Sequence, residues 1–250
     1  MIEMSVDIPT ADGAMNAYIF HPDRDGPHPV VILYMDALGL REELSDMSRR
    51  IAAVGYYVLM PNLYYRSARS IDVDGRRMHD PAYAERAALM WKYNRALTNA
   101  MVDRDTEAML KFLDTEDAAR KGRIGMVGYC MSGRFVFHAA GAHPDRVAAS
   151  ASIYGAGLVT ERDDSPHLSA GDIQGEMYFA CAATDAYAPP EILEKLRGVI
   201  DETGINASIE VYPDTHHGFA FPNRPVYHKA GAERHWERLF SLFRRNLQAS

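Results

Sequence analysis

The residues best equipped for chemistry lie in Gly128-Tyr129-Cys130-Met131-Ser132-Gly133, where an apolar run ends and a helical pattern begins. A nucleophile elbow needs this composition. Its turn is tight, the central residue takes a strained backbone conformation, and strand and helix pass close together. Gly128, Ser132 and Gly133 supply the small residues around the centre. Such an elbow usually carries Ser, and here it carries Cys130. Backbone dipoles at a helix N-terminus favour the reactive thiolate. The N–H of Met131 would point into an oxyanion hole. A small buried cysteine in a glycine-rich turn is the plainer reading of the same six residues.

A nucleophile needs a base, and the base needs an orienting group. In doubly wound hydrolases these follow in the order nucleophile, acid, histidine, each after a later strand. Asp185 lies 55 positions after Cys130, beyond an apolar run, and His217 lies 32 further on in Asp214-Thr215-His216-His217-Gly218-Phe219. Either histidine could serve; Gly218 lets the loop swing, which favours His217. Each residue alone reads as a turn or surface group, but the three together have the order the chemistry requires. Tyr34-Met35-Asp36-Ala37-Leu38-Gly39 ends an earlier apolar run. Ala37 is the candidate for the second oxyanion donor, and Asp36 would stand at the same mouth or act as a plain turn residue.

The elements that must position these groups follow from patterning. Met4 to Ile8 and Met15 to Phe20 alternate, with Ala11-Asp12-Gly13 as the turn between them, and predict an antiparallel start. Strands are predicted at Pro29–Met35, Tyr56–Met60, Arg123–Gly128, Val147–Tyr154, Glu176–Ala182 and Ala207–Tyr212. Helices are predicted at Arg41–Ala53, through Leu44, Met47, Ile51 and Val54, and from Ala82 to Leu113, with Leu89, Tyr93, Leu97 and Ala100 on one face. Others cover Gly133–Ala142, Glu191–Glu202 and Glu233–Leu247, the last with Arg244 and Arg245 complementing its dipole. Pro61 to Pro81 is rich in Arg and Asp and reads as a long functional loop. The alternation predicts one α/β domain over residues 1–250, with a mostly parallel sheet and helices on both faces.

Composition bounds the partners. Of 250 residues, 47% are hydrophobic and 24% charged, enough for a large core, so a disordered or fibrous chain is excluded. A net charge of −7 argues against nucleic acid and anionic membranes. No stretch is apolar enough to span a bilayer and no export signal opens the chain, so a cytoplasmic location is expected. Two cysteines without a CxxC pair, and no HExxH, predict neither a metal site nor a cofactor.

Together these residues resemble the dienelactone hydrolase family of the α/β-hydrolase fold, over Pro29 to Leu247. The elbow is close to the family's Gly-Tyr-Cys-x-Gly-Gly. Tyr154-Gly155-Ala156-Gly157, Asp185 with Pro189, His217-Gly218-Phe219 and Pro61-Asn62-Leu63-Tyr64-Tyr65-Arg66 match further segments. The resemblance implies one domain without a large cap, and hydrolysis of an ester or enol-lactone by a Cys130-His217-Asp185 triad. It places Arg66 against a substrate carboxylate. It also marks departures: Asp36 stands where the family has Glu, Ser132 replaces Gly, and Phe221 replaces a second arginine, for which Arg224 could substitute. Tyr64 and Phe221 are candidate pocket walls.

The expected reaction is acyl transfer to water. Cys130 forms a thioester, and His217 acts as general base, then general acid. Asp185 holds the ring, and the Met131 and Ala37 amides stabilise the oxyanion. The expected partner is a small ester or lactone, and the protein a monomer or homodimer. The rivals are a promiscuous esterase of neutral esters and a ligand-binding or redox-responsive protein that does not turn over.

Overall fold

The structure, a computed structural model, describes residues 1–78 and 80–248. Its strands are β1 (Ile2–Thr10), β2 (Gly13–His21), β3 (Val30–Tyr34), β4 (Tyr57–Pro61), β5 (Ile124–Tyr129), β6 (Val147–Ile153), β7 (Glu176–Thr184) and β8 (Ala207–His216). They form one sheet in the order β1-β2-β4-β3-β5-β6-β7-β8. β1, β2 and β4 pair antiparallel in succession, and every other pairing is parallel. The central strands are buried along their whole length, without alternation, because both of their faces are covered.

The helices are α1 (Glu42–Ala52), α2 (Ala84–Ala96), α3 (Asn99–Leu113), α4 (Gly133–Ala142), α5 (Pro190–Thr203) and α6 (Lys229–Phe243). Two glycines of β5 show how the layers close. A Cβ on Gly125 would meet Phe243 Cε1 at 2.8 Å, whereas one on Gly128 would meet Ser132 O at 2.3 Å and Val136 at 3.0 Å. Residues three apart on a strand face opposite ways. α6 therefore covers one face of β5 and α4 the other, each drawn in against bare backbone. α1 shares the α6 face, where Arg50 pairs with Glu233 and lies 4.6 Å over the Trp236 ring.

The predicted strands all form, and the helical segments keep their places with two corrections of face. Val54 lies past the end of α1 and is 48% exposed, because the chain leaves the helix after Ala52 and turns through Gly55 at φ 101°. The long segment after Ala82 breaks at Leu97 and Thr98, where Thr98 Oγ1 accepts the Met101 N–H and caps α3. α2 buries Ala87 and Met90 and leaves Leu89 exposed, so its inward face is turned from the predicted one. Between β4 and α2 the chain is a loop with two short 3-10 turns, capped by Asp74 and Asp80. Among the described residues no helix is long and apolar enough to cross a membrane.

Candidate active site

β5 ends at Tyr129, and Cys130 follows with φ 56°, in the left-handed region. A non-glycine residue held there costs about 1–3 kcal/mol. The surroundings hold it in place. The Cys130 carbonyl accepts the Ala156 N–H at 2.9 Å, and the Ser132 hydroxyl donates to the Met35 carbonyl. A Cβ on Gly133 would lie 2.4 Å from both Gly155 Cα and Ser152 Oγ. The small residues thus occupy the positions where the turn has no room.

Acid and histidine arrive by sheet register. β7 and β8 are parallel neighbours, and Thr184 pairs with His216. The next residue on each strand, Asp185 and His217, is therefore delivered side by side. His217 Nδ1 lies 2.8 Å from Asp185 Oδ2, and Asp185 Oδ1 accepts the Tyr187 N–H at 2.8 Å. His216 is exposed at the end of β8, so His217 is the imidazole that reaches the acid. Gly218, at φ 96°, makes the turn that follows.

His217 Nε2 is buried and makes no hydrogen bond by geometry. Burial works against a charged ring, but the Cys130 side chain and the Asp185 carboxylate beside it outweigh burial and raise the pKa to about 10. Cys130 thus lies beside the imidazole, whose other edge is held by Asp185.

Aromatic rings enclose the pair. Tyr154 meets the His217 ring edge-on at 5.1 Å, and its hydroxyl is buried without a partner. Tyr187 is half exposed and packs on the His217 ring at 4.7 Å. Phe221 is fully buried against Tyr129 and Tyr154, with the Arg41 guanidinium 4.8 Å from its centroid.

The loop after β3 brings Asp36 and Ala37 to the same end of the sheet. Ala37 N–H donates to no acceptor among the described residues. Met131 stands in the first turn after Cys130, where amides lack an intrahelical partner. Tyr64 joins the two segments: its hydroxyl donates to the Ala37 carbonyl at 2.9 Å and lies 3.4 Å from Met131 Sδ. Asp36 is fully buried, with Arg41 at 2.5 Å and Arg224 at 3.1 Å. Burial raises the carboxyl pKa, but the two arginines prevail and hold it below the usual range.

The model of the dienelactone hydrolase family matches residues 15–247. The chain belongs to the dienelactone hydrolase family. Three bacterial relatives share the name "Putative carboxymethylenebutenolidase". The Methylorubrum extorquens protein is 28% identical, covering 98% of this chain and 81% of its own. The Synechocystis protein is 27% identical (97% and 96%), and that of Escherichia coli K12 29% (95% and 84%). A solved Klebsiella pneumoniae chain, described as a "Putative Dienelactone Hydrolase", superposes with a TM-score of 0.84 at 26% identity, covering 97% of this chain and 98% of its own. This dienelactone hydrolase relative is thus a hydrolase with the α/β-hydrolase fold.

Three of its predicted substrate contacts are otherwise engaged. Arg66 is no free cation: Asp105 grips it at 2.8 and 2.7 Å, and Asp12 adds a third contact at 2.7 Å. Arg224 is present at the site but already neutralises Asp36. Phe221 is too deeply buried to touch a ligand and serves as packing beneath Tyr154. Asp36 pairs with arginines and makes no hydrogen bond to the thiol. Sequence reasoning missed Tyr187, two residues past Asp185, and Arg41, the inner partner of Asp36. A charged residue at the start of a helix and an aromatic in a loop carry no signal of their own. Among the described residues no group of three or more His, Cys, Asp or Glu could hold a metal ion.

Proposed function

We propose that this protein hydrolyses a small carboxylic ester or lactone through a thioester on Cys130. The observation that carries the reading is the Asp185–His217 hydrogen bond ending beside a cysteine at positive φ. The raised pKa of His217 supports its taking the proton of Cys130 as the thiol attacks and giving it to the leaving group.

The steps follow from that role. Cys130 attacks the carbonyl carbon as His217 Nε2 takes its proton, and the oxyanion accepts hydrogen bonds from the Met131 and Ala37 amides. Collapse forms the thioester and expels the alkoxide or enolate, which takes the proton from His217 Nε2. The neutral ring then takes a proton from water as the oxygen attacks the thioester. The acid leaves as the sulfur takes its proton back from His217. Asp185 holds Nδ1 throughout and stabilises the charged ring. The half-exposed Tyr187 and the enclosing aromatic rings suit a small organic acyl group. The names of the relatives favour a lactone among such substrates.

The test is turnover of aryl esters and five-membered enol-lactones by wild type and Cys130→Ala, with mass spectrometry of acid-quenched enzyme. Expected are loss of turnover in the variant and an acyl adduct on Cys130 in wild type. Wild-type rates in folded Cys130→Ala would overturn the reading.

A further inference from the structure

α2 reaches the elbow through a polar contact at its end rather than through an apolar face. Of its 13 residues only Ala87 and Met90 are buried. In its last turn the Asn94 side-chain amide donates to Met131 Sδ at 3.0 Å. The Tyr64 hydroxyl lies 3.4 Å from the same sulfur, but its one proton has the Ala37 carbonyl at 2.9 Å. Asn94 is therefore the donor on which the thioether depends. Asn is a poor helix former because its side chain competes for nearby backbone. At position 94 that side chain has a partner across the site instead.

The end of α2 is itself held against the elbow helix. The Leu97 N–H closes on the Asn94 carbonyl at 3.2 Å. Arg134, four residues after Cys130 on α4, donates from Nη2 to the Leu97 carbonyl at 3.1 Å. The Tyr93 ring packs on the Tyr64 ring at 5.9 Å. Burial raises the Tyr64 pKa, and the Asn94 side chain beside the phenol opposes the rise.

Met131 needs such a hold. Its side chain is buried but unbranched, with three soft torsions, so packing alone fixes it poorly. Its amide and its side chain share one Cα, so a sulfur pinned from α2 also fixes the direction of the N–H. An oxyanion donor works only when aimed at the place where charge develops.

We propose that Asn94 is a positioning residue, which sets the Met131 amide for acyl transfer by donating to the Met131 thioether. The proposal rests on the reading of that amide as an oxyanion donor behind a Cys130 nucleophile.

A double-mutant cycle tests it, with Asn94→Leu, Met131→Leu, which conserves volume, and the two combined. On a neutral aryl ester, Asn94→Leu is expected to lower kcat by about 3- to 30-fold at nearly constant KM. Asn94→Gln keeps the donor and should recover part of the loss. Met131→Leu has no sulfur to accept, so in that background Asn94→Leu should change kcat by less than about twofold. Iodoacetamide supplies the control. It alkylates the same sulfur by displacing iodide and forms no oxyanion, so its rate at Cys130 should match wild type in Asn94→Leu.

Wild-type kcat in Asn94→Leu, an equal loss in both backgrounds, or a parallel fall in the alkylation rate overturns the proposal. Failure of the underlying reading looks different. Wild type then forms no acyl adduct on Cys130 while iodoacetamide still labels the thiol, and the proposal falls with it.

Discussion

The Ser132 hydroxyl donates to the Met35 carbonyl, tying the elbow to the loop after β3 across 97 residues of chain. The Tyr64 hydroxyl makes the matching link to Ala37. The two amides proposed for the oxyanion hole, of Met131 and Ala37, belong to these two segments, so their spacing depends on both bonds. Ser132→Ala and Tyr64→Phe are each expected to lower kcat by about 3- to 30-fold, with little change in KM, as interactions felt in the transition state do. Steady-state kinetics on a neutral aryl ester checks this. A rise in KM at constant kcat would mean that the bonds shape ground-state binding instead.

Gly133 has backbone on the far side of its missing side chain. Gly133→Ala must push Gly155 or Ser152 away, at a cost of about 1–3 kcal/mol. Thermal unfolding should show the loss. The Cys130 alkylation rate should fall with it, because Gly155 precedes the amide that holds the Cys130 carbonyl.

Arg66 and Asp105 form a buried pair, with Asp105 also accepting from the Tyr65 hydroxyl at 2.8 Å. Arg66→Leu leaves that carboxylate uncompensated, at a cost of about 3–5 kcal/mol, or roughly 10 °C in Tm. The ratio of carboxylated to neutral ester turnover should stay at the wild-type value. A collapse of that ratio with an unchanged Tm would return Arg66 to substrate binding.

His235 is fully buried between the Tyr129 hydroxyl and the Ala232 carbonyl, and burial drives its pKa down to about 4. The unfolded chain has the ordinary value near 6.5 and takes up its proton first as pH falls. Stability is therefore full above about 6.5, declines towards 4, and the loss reaches about 3 kcal/mol. Urea midpoints at pH 7 and 4.5 should differ more in wild type than in His235→Gln.

Much of this was legible in the sequence because backbone constraint and burial leave marks on residue type. β3 and β4 are continuous apolar runs, and Gly128 and Gly133 stand where close approach forbids a side chain. Asp185 and His217 were legible by order alone; that they meet depends on β7–β8 register, which one sequence does not display. Charge partnership was not legible at all. Arg66 and Arg134 look alike as letters, yet one is clasped by a carboxylate from 39 residues away and the other has none among the described residues. The α2 face failed because a helix with mixed apolar positions is turned by what it packs on, here through Ala87 and Met90.

Phe243 and Leu247 fill the space beneath Gly125, in the strand that carries the elbow. During synthesis the elbow segment leaves the ribosome more than a hundred residues before its support. A growing chain can hold Cys130, Asp185 and His217 and still lack the floor under β5. The setting of the thiol is thus expected to be complete only once α6 has been made and docked. A protein cut ahead of α6 should emerge as a chaperone client rather than as a slow enzyme.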